Sequence, residues 1–248
     1  MNNIAHLICS KNFSGIEQHV HELTSILTNN SDYDLYIFAD KTLEPHFQNQ
    51  RFQIFPNKFR FNLFALFKLR KLIKDHKIQI LHCHGSKSIL LGRWVSWITK
   101  VELIATVHAN KKRPVATNGF RKTIVVNELL KKTYPAAEVI GNWVNPKLEI
   151  LNSSRDGKFI AVGRLEKIKR FDLLIHAWKG INEKLEIIGD GLEKNNLLTI
   201  IKDNNLAEKI TIRSEVNSQE LGNIYRRAKG LIITSSREGG PRVALEAA

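Results

Sequence analysis

Hydrophobic residues follow two different periods along this chain, and the two periods alternate. Short apolar runs predict strands at 3–10, 32–39, 51–55, 78–84, 101–108, 123–127 and 138–141. The spacing of Ile16, Val20, Leu23 and Leu27 predicts a helix after the first strand. Similar spacing predicts helices at 57–76, 86–99 and 128–134. Strands and helices in alternation are typical of a parallel sheet with helices on both faces.

A second series of the same kind follows a stretch in which the pattern loosens. Residues 141–156 are rich in Asn, Pro, Ser and Gly, which is typical of a linker. Beyond it the pattern predicts strands at 158–162, 185–188, 210–213 and 230–235, with helices at 171–178, 193–203 and 218–227. We therefore predict an α/β chain with two doubly wound, Rossmann-like domains facing a cleft: 1–145, a linker at 146–157, and 158–248.

Charge changes this picture by indicating the kind of partner. The 248 residues carry 38 basic and 24 acidic side chains, a net charge of +14, and most of the excess lies in residues 1–150. Such a balance favours an anionic partner, whether nucleic acid, a membrane surface or a phosphorylated substrate. The predicted helix at 57–76 can either cover the sheet or lie on an anionic membrane. Its apolar face would hold Leu63, Leu66, Phe67 and Ile73, and its charges Lys68, Arg70, Lys71 and Lys74.

Hydropathy and cysteine content indicate the compartment. No apolar run approaches the eighteen residues of a membrane-spanning helix, and the N-terminus lacks the features of a secretory signal. Cys9 and Cys83 both lie in strand-like segments, which fits a reduced protein better than a disulfide framework. We expect a cytoplasmic protein, with peripheral contact at the inner face of the membrane as an open alternative.

Histidines end two of the predicted strands in the first domain. In the strand at 78–84, alternation places His82 and His84 on one face and Cys83 on the other. No distant Cys/His pair completes a tetrahedral zinc set in the sequence, so we expect no metal site. His108 ends another strand, where α/β proteins place ligands, although a structural role remains open.

The second domain places candidate phosphate-binding groups after two of its strands. Arg164 and Lys169 lie on the loop after the first strand, and a guanidinium fork with an ammonium could neutralise a diphosphate. The next strand ends at Gly189, in a Gly-Asp-Gly turn that lets backbone approach a ligand. Carboxyl ends of parallel strands share one edge of a sheet, so we expect these groups to converge.

The last stretch of the chain combines carboxylates with a predicted helix start. In TSSREGGPRVALEAA, Glu238 lies on the loop and Glu246 on the predicted helix. Carboxylates suit vicinal sugar hydroxyls, and backbone N–H groups around Gly240 to Val243 could bind phosphate. The alternative is that both glutamates are simply solvated surface residues.

These motifs together resemble glycosyltransferase family 4, retaining enzymes of the two-domain GT-B fold. The matching pieces are GRLEKIK, the IIGDG turn and the Glu-x7-Glu motif EGGPRVALE, in the family's order and spacing. In the first half, SGIEQHV resembles the family's Gly-rich loop, and TVH its histidine site. The resemblance covers nearly the whole chain and is strongest over 158–248.

The resemblance implies a role for each matching residue. Arg164 and Lys169 would bind the donor diphosphate and stabilise the leaving group. Glu246 would hold the ribose hydroxyls, and Glu238 and His108 would contact the transferred sugar. Backbone would contribute at Gly15, Gly189, Gly240, Pro241, Arg242 and Val243. The family is generally metal-independent, and the chain has no Asp-x-Asp motif, so we expect a nucleotide-sugar co-substrate and no other cofactor.

The resemblance also implies a substrate class, and it leaves other functions open. We expect a retaining transfer from a UDP-sugar to a glycan or glycolipid such as a lipopolysaccharide core. Ser14, Trp143 and Arg170 each stand where the family often has Gly, and family members continue beyond Ala248. A truncated nucleotide-binding protein without activity is therefore one alternative, and a sugar epimerase of the same fold is another. A basic nucleic-acid binder is a third, less favoured alternative, and nucleic acid is not an expected partner, because the chain has no recognised binding motif.

Overall fold

The computed structural model describes residues 2–30, 33–48, 50–56, 63–111, 113–143, 157–238 and 240–248. These residues form two compact units, Met1–Asn142 and Trp143–Ala248. Residues 57–62 of the predicted basic helix and 146–156 of the predicted linker lie outside the described residues. No helix among those described is both long and apolar enough to span a membrane.

The first unit is built around a sheet of parallel strands joined by helices. Its elements are β1 (Asn2–Ile8), α1 (Gly15–Asn30), β2 (Tyr33–Ala39), a 3-10 helix (Lys41–His46), β3 (Arg51–Ile54), α2 (Leu63–Asp75), β4 (Ile80–His84), α3 (Ser86–Ser96), β5 (Glu102–Val107), β6 (Lys122–Val125), α4 (Glu128–Lys131) and β7 (Glu138–Val139). The strand order is β3-β2-β1-β4-β5-β6-β7, and every pair is parallel.

The direction of winding changes at β1, which has β2 on one side and β4 on the other. The chain runs outward from β1 through β2 to β3, then crosses back to β4 and continues through β5 to β7. Ligands of open α/β sheets bind beyond the carboxyl ends of the strands at such a reversal. The segments after β1, β4 and β5 therefore occupy the position expected of a ligand site.

Side-chain alternation on β1 divides the core of this unit into two layers. Ala5 and Leu7 pack in one hydrophobic cluster, together with residues of α2 and α3. Ile8 packs in a second cluster, together with Val20 of α1. Successive residues of a strand point to opposite faces, so α1 covers one face of the sheet while α2 and α3 cover the other. The predicted doubly wound arrangement is confirmed for this unit.

The second unit repeats the arrangement with fewer strands. Its elements are β8 (Phe159–Val162), a 3-10 helix (Lys167–Lys169), α5 (Phe171–Ala177), β9 (Leu185–Ile188), α6 (Lys194–Asp203), β10 (Ile210–Arg213), α7 (Ser218–Arg227), β11 (Gly230–Leu231) and α8 (Arg242–Ala247). The parallel sheet has the order β10-β9-β8-β11. Ala161, Ile175 and Ile187 are fully buried in its core.

Several predicted elements end earlier than their hydrophobic patterns suggest. The predicted strand at 230–235 pairs only over Gly230–Leu231, and the predicted helix at 128–134 ends at Lys131. Ile232 N still donates to the Ile160 carbonyl of β8 at 2.8 Å, and beyond it the Thr234 hydroxyl donates to the Lys169 carbonyl. The hydrophobic pattern alone does not reveal where pairing stops, because an apolar loop residue carries the same signal as a strand residue.

Candidate functional site

Two of the predicted site residues in the second unit lie in direct contact. Lys169 Nζ donates to Glu238 Oε1 at 2.7 Å, and about a quarter of each side chain is exposed. The backbone aligns the two loops beside this pair, since Ser236 N donates to the Ile168 carbonyl at 2.9 Å. The loop after β8 and the loop after β11 are therefore joined at the positions expected to hold the donor.

Arg164 has a different carboxylate partner. Its guanidinium lies 2.9 Å from Glu166 Oε1, and both side chains are substantially exposed. An exposed pair of this kind contributes little stability, so Arg164 can leave Glu166 for an anion at small cost. The described ion pairs of Arg164 and Lys169 thus lead to two separate carboxylates rather than to one shared site.

Gly189 allows the turn after β9 to pack against the turn after β8. Its φ of 148° lies in the region that favours glycine, and a Cβ at this position would collide with the Gly163 carbonyl. The two turns are also joined by a bond from Leu165 N to the Asp190 carbonyl at 2.9 Å. The close approach that the sequence suggested for a ligand is made, in the structure, by the neighbouring turn.

Glu246 is held by two side chains of its own unit. Tyr225 donates its hydroxyl to Glu246 Oε2 at 3.2 Å, and the Arg242 Nε lies 3.7 Å from Oε1. Burial, and then the charge of Glu246, raise the pKa of Tyr225 well above its usual range, so the phenol stays protonated and donates. No motif in the sequence indicated Tyr225, which lies 21 positions before its partner.

The backbone before Glu246 forms the entry to α8. Gly240 has a φ of 116°, and Pro241 precedes the first helical residues, Arg242 and Val243. Proline suits a helix start because its fixed φ is compatible with the first turn and its missing N–H is not needed there. Gly239 lies outside the described residues.

In the first unit, Gly15 begins α1 directly after a capping motif. Glu17 Oε2 accepts from the Ser14 backbone N–H at 2.9 Å and from the Ser14 hydroxyl at 2.8 Å, and Glu17 also accepts from Ser10. In a capping box, the carboxylate of the third helical residue accepts from the backbone N–H of the N-cap residue in this way, which fixes the helix start. Ser14, a departure from the family pattern, therefore stabilises the loop that carries Gly15.

Five imidazoles come together on the α1 face of the sheet. They are His6 of β1, His19 of α1, His82 and His84 of β4, and His108 after β5, and the first four are buried. His6 Nδ1 lies 3.0 Å from His84 Nε2, and His84 Nδ1 lies 3.3 Å from His108 Nε2. His82 Nε2 lies 2.7 Å from the Thr106 hydroxyl.

Burial keeps the imidazoles on the strands neutral. Desolvation, and then the proximity of His19, lower the pKa of His6 from 6.5 to about 3. Desolvation and the neighbouring imidazoles lower the pKa of His82 and of His84 well below 6.5. A neutral imidazole has one donor and one acceptor nitrogen, so the cluster can form directed hydrogen bonds without accumulating charge.

The sequence indicated no distant Cys/His pair that would complete a tetrahedral zinc set with His82 and His84, and the structure brings other histidines to them. Ring nitrogens of His6, His82 and His84, and those of His19, His84 and His108, lie within 4.8 Å of one another in each group. Three imidazoles are a donor set that zinc and copper accept. His84 belongs to both groups, and each of its nitrogens already meets another imidazole, so we assign no metal ion to the cluster.

The basic helix α2 differs from the expected amphipathic pattern. Of the four residues predicted to share an apolar face, Ile73 is buried and Leu66 is half-buried, whereas Leu63 and Phe67 are 75% and 60% exposed. The helix packs on the sheet through Ala65, Leu69 and Leu72 instead. The prediction of one apolar face was wrong, since α2 has a buried face and a separate exposed one.

Comparison with known proteins places each unit in a glycosyltransferase family. Residues 13–140 match the family described as Glycosyltransferase Family 4, and residues 147–248 match Glycosyl transferases group 1. The amylovoran biosynthesis glycosyltransferase AmsD of Erwinia amylovora is 27% identical over 268 residues, covering 95% of this chain and 75% of AmsD.

Solved structures share the fold at lower identity. HepE of Anabaena, in complex with UDP and glucose, has a TM-score of 0.83 at 16% identity, and the match covers 100% of this chain and 78% of the HepE chain. The apo form of the lipopolysaccharide outer core galactosyltransferase WaaB has a TM-score of 0.75 at 17% identity, with coverage of 100% and 78%. With its two parallel-sheet units and these matches, the chain belongs to glycosyltransferase family 4 and has the GT-B fold.

Proposed function

We propose that this glycosyltransferase transfers a sugar from a UDP-sugar to a glycan or glycolipid acceptor, with retention of configuration and without a metal ion. The observation that carries the proposal is the contact between Lys169 and Glu238. The cation expected to bind the diphosphate and the carboxylate expected to contact the sugar already lie together in the second unit. The HepE complexes with UDP and with UDP-glucose support the choice of nucleotide.

Fixed positive charge would supply the main catalytic contribution. Negative charge builds up on the diphosphate as the bond to the sugar breaks, and a positioned ammonium stabilises that charge. Lys169 would release Glu238 to meet the diphosphate, while Glu238 becomes available to a sugar hydroxyl. Arg164 would exchange Glu166 for a phosphate oxygen in the same way. Glu246, oriented by Tyr225, would accept from the ribose hydroxyls.

Nucleotide binding is the first experiment. Thermal shifts would be recorded with UDP, GDP and ADP for the wild type, for Glu246→Ala and for Glu208→Ala, an exposed glutamate of the same unit. A ligand at a hundredfold excess over its Kd stabilises the native state by about 2.7 kcal/mol. We expect a shift with UDP that Glu246→Ala abolishes and Glu208→Ala retains. Equal shifts in both variants would contradict the assignment of Glu246.

Transfer is the second experiment, and it tests mechanism and metal dependence together. UDP-sugars and glycan or glycolipid acceptors would be incubated with and without EDTA, and NMR would report the anomeric configuration of the product. We expect a retained configuration and equal rates with the chelator. An inverted product, or a rate that falls with EDTA and recovers with a divalent cation, would contradict the proposal. Binding without transfer would favour a nucleotide-binding protein without activity.

The acceptor class rests on two observations. WaaB is a lipopolysaccharide outer core galactosyltransferase and AmsD a glycosyltransferase of amylovoran biosynthesis. The first half of the chain carries most of the net positive charge, which suits an anionic glycan or glycolipid. We propose no nucleic acid among the partners. A panel of neutral and anionic glycans would test this class, and preference for the neutral ones would contradict it.

We propose a cytoplasmic protein with peripheral contact at an anionic membrane, and helix α2 supports the membrane contact. Leu63, Phe64 and Phe67 are 75%, 69% and 60% exposed at its first turns, and Lys71 is exposed on the same helix. Apolar side chains beside cations suit the boundary between headgroups and acyl chains. We expect Phe64→Ser/Phe67→Ser to reduce sedimentation with anionic vesicles, and Leu198→Ser, at an exposed apolar residue of α6, to leave it unchanged. Equal sedimentation of both variants would refute this contact.

A further inference from the structure

Three imidazoles of the buried cluster form a continuous line of close nitrogen contacts. His6 Nδ1 lies 3.0 Å from His84 Nε2, and His84 Nδ1 lies 3.3 Å from His108 Nε2. The strands fix this line, because β1 and β5 both pair with β4. Both nitrogens of His84 are used, so His84 connects the buried His6 to His108 beyond the end of β5.

Neutrality forces the two hydrogen bonds to run in the same direction. A neutral imidazole has one N–H and one lone pair, so His84 accepts at one nitrogen and donates at the other. Either His108 donates to His84 and His84 to His6, or His6 donates to His84 and His84 to His108. The lowered pKa values of His6 and His84 support the neutral state.

The remaining nitrogen of His6 distinguishes the two directions. If His6 accepts at Nδ1, its proton lies on Nε2, which is buried and has no hydrogen-bond partner among the described residues. If His6 donates from Nδ1, Nε2 carries only a lone pair. Orphaned buried N–H groups are the rarer of the two cases in folded proteins, so the second direction is favoured.

We propose that His6 and His84 act as positioning residues that fix the tautomer of His108, with its proton on Nδ1 and its Nε2 accepting from His84. This inference rests on the proposed contact between His108 and the sugar. In that role His108 would offer a hydrogen-bond donor, and the group it recognises would be an oxygen acceptor such as a hydroxyl or phosphate oxygen. It would not abstract a proton through Nδ1.

The test is the protonation pattern of the histidine nitrogens in the nucleotide-free full chain. Long-range proton–nitrogen correlations on histidine-labelled protein, recorded with EDTA, distinguish the two tautomers, and His108→Asn identifies the His108 signals. We expect a roughly tenfold excess of the Nδ1–H form in the wild type, the population ratio that a hydrogen bond of about 1.4 kcal/mol maintains. A proton on Nε2 of His108, or equal populations of both forms, would overturn the proposal.

Two matched variants test the influence of His84. In His84→Asn the side-chain amide reaches the place of Nδ1 but loses the contact with His6 and can present either its N–H or its oxygen, so the excess of Nδ1–H on His108 falls. In His84→Asp a carboxylate takes the same place and accepts, so the proton of His108 moves to Nε2. An unchanged Nδ1–H form in His84→Asp would overturn the role of His84.

A third variant avoids a buried carboxylate. His6→Leu removes the first donor and keeps an apolar side chain in the core, so His84 loses its fixed direction and the excess of Nδ1–H on His108 falls. If His108 in His6→Leu keeps the same excess of the Nδ1–H form as in the wild type, the role of His6 is overturned. All these spectra are recorded without a nucleotide sugar and without a glycan acceptor. Their outcome is therefore independent of whether sugar transfer or UDP binding is found.

Discussion

Acidification should destabilise the first unit, because its buried histidines must stay neutral to remain folded. His6, His82 and His84 are buried on the α1 face, and burial lowers the pKa of each below 6.5. In the unfolded chain the same side chains return to ordinary values. Between the two pKa values the unfolded state binds more protons, so stability is complete above about pH 6.5 and is lost as the pH falls.

The size of the effect follows from the pKa of His6. The pKa of His6 is about 3 in the folded state against 6.5 in the unfolded chain. This difference lowers the free energy of unfolding by roughly 2 kcal/mol between about pH 7.5 and about pH 5. Each such histidine adds a slope of about 1.4 kcal/mol per pH unit below pH 6.5. The lowered pKa values of His82 and His84 act in the same direction as that of His6, so their protonation also destabilises the fold.

Urea unfolding at several pH values between about 7.5 and about 5 would measure this slope, since carboxylates stay largely ionised over this range. Circular dichroism would report the transition, and hydrogen exchange in β1 and β4 would assign it to the first unit. His6→Asn removes one buried imidazole and should lower the slope by about 1.4 kcal/mol per pH unit. The control His176→Asn changes an exposed histidine of α5 and should keep the wild-type slope.

A flat dependence of unfolding free energy on pH over this range would refute the reasoning. It would mean that the imidazoles take up protons in the folded state, which requires water or an anion inside the cluster. A slope that persists in His6→Asn would place the proton uptake elsewhere in the chain.

Three further perturbations test packing, backbone strain and the support of Glu246. Gly92→Ala should lower the free energy of unfolding by roughly 1–2 kcal/mol, because the new methyl group would collide with Cys83 Sγ, and Cys83→Ala should relieve part of that loss in a double-mutant cycle. Arg170→Gly should raise the unfolding free energy by roughly 0.5–1 kcal/mol, because Arg170 holds a φ of 53° in the left-handed region; a loss of stability in urea would contradict the strain. Tyr225→Phe should weaken UDP binding roughly fivefold in calorimetry, since one hydrogen bond to Glu246 disappears, and an unchanged Kd would show that Glu246 needs no such support.

The sequence determined the elements and the face on which each strand residue lies. The alternation in ILHCH placed His82 and His84 on one face and Cys83 on the other, and the structure has this arrangement. The strand-helix repeat predicted two parallel α/β units. The motifs GRLEKIK and EGGPRVALE identified Lys169 and Glu238, which lie 2.7 Å apart although 69 positions separate them. These properties are local, or follow from the regular geometry of parallel sheets.

The tertiary structure decided which elements became neighbours. A period of two residues tells which face a side chain occupies and says nothing about the adjacent strand, so the contact of His6 with His84 required the pairing of β1 with β4. The same holds for Gly189, whose missing side chain makes room for the Gly163 carbonyl. Helix α2 could bury more than one stripe of its surface, and packing against the sheet left Phe67 exposed. Contacts between distant segments depend on strand order, register and packing, which a one-dimensional pattern does not specify.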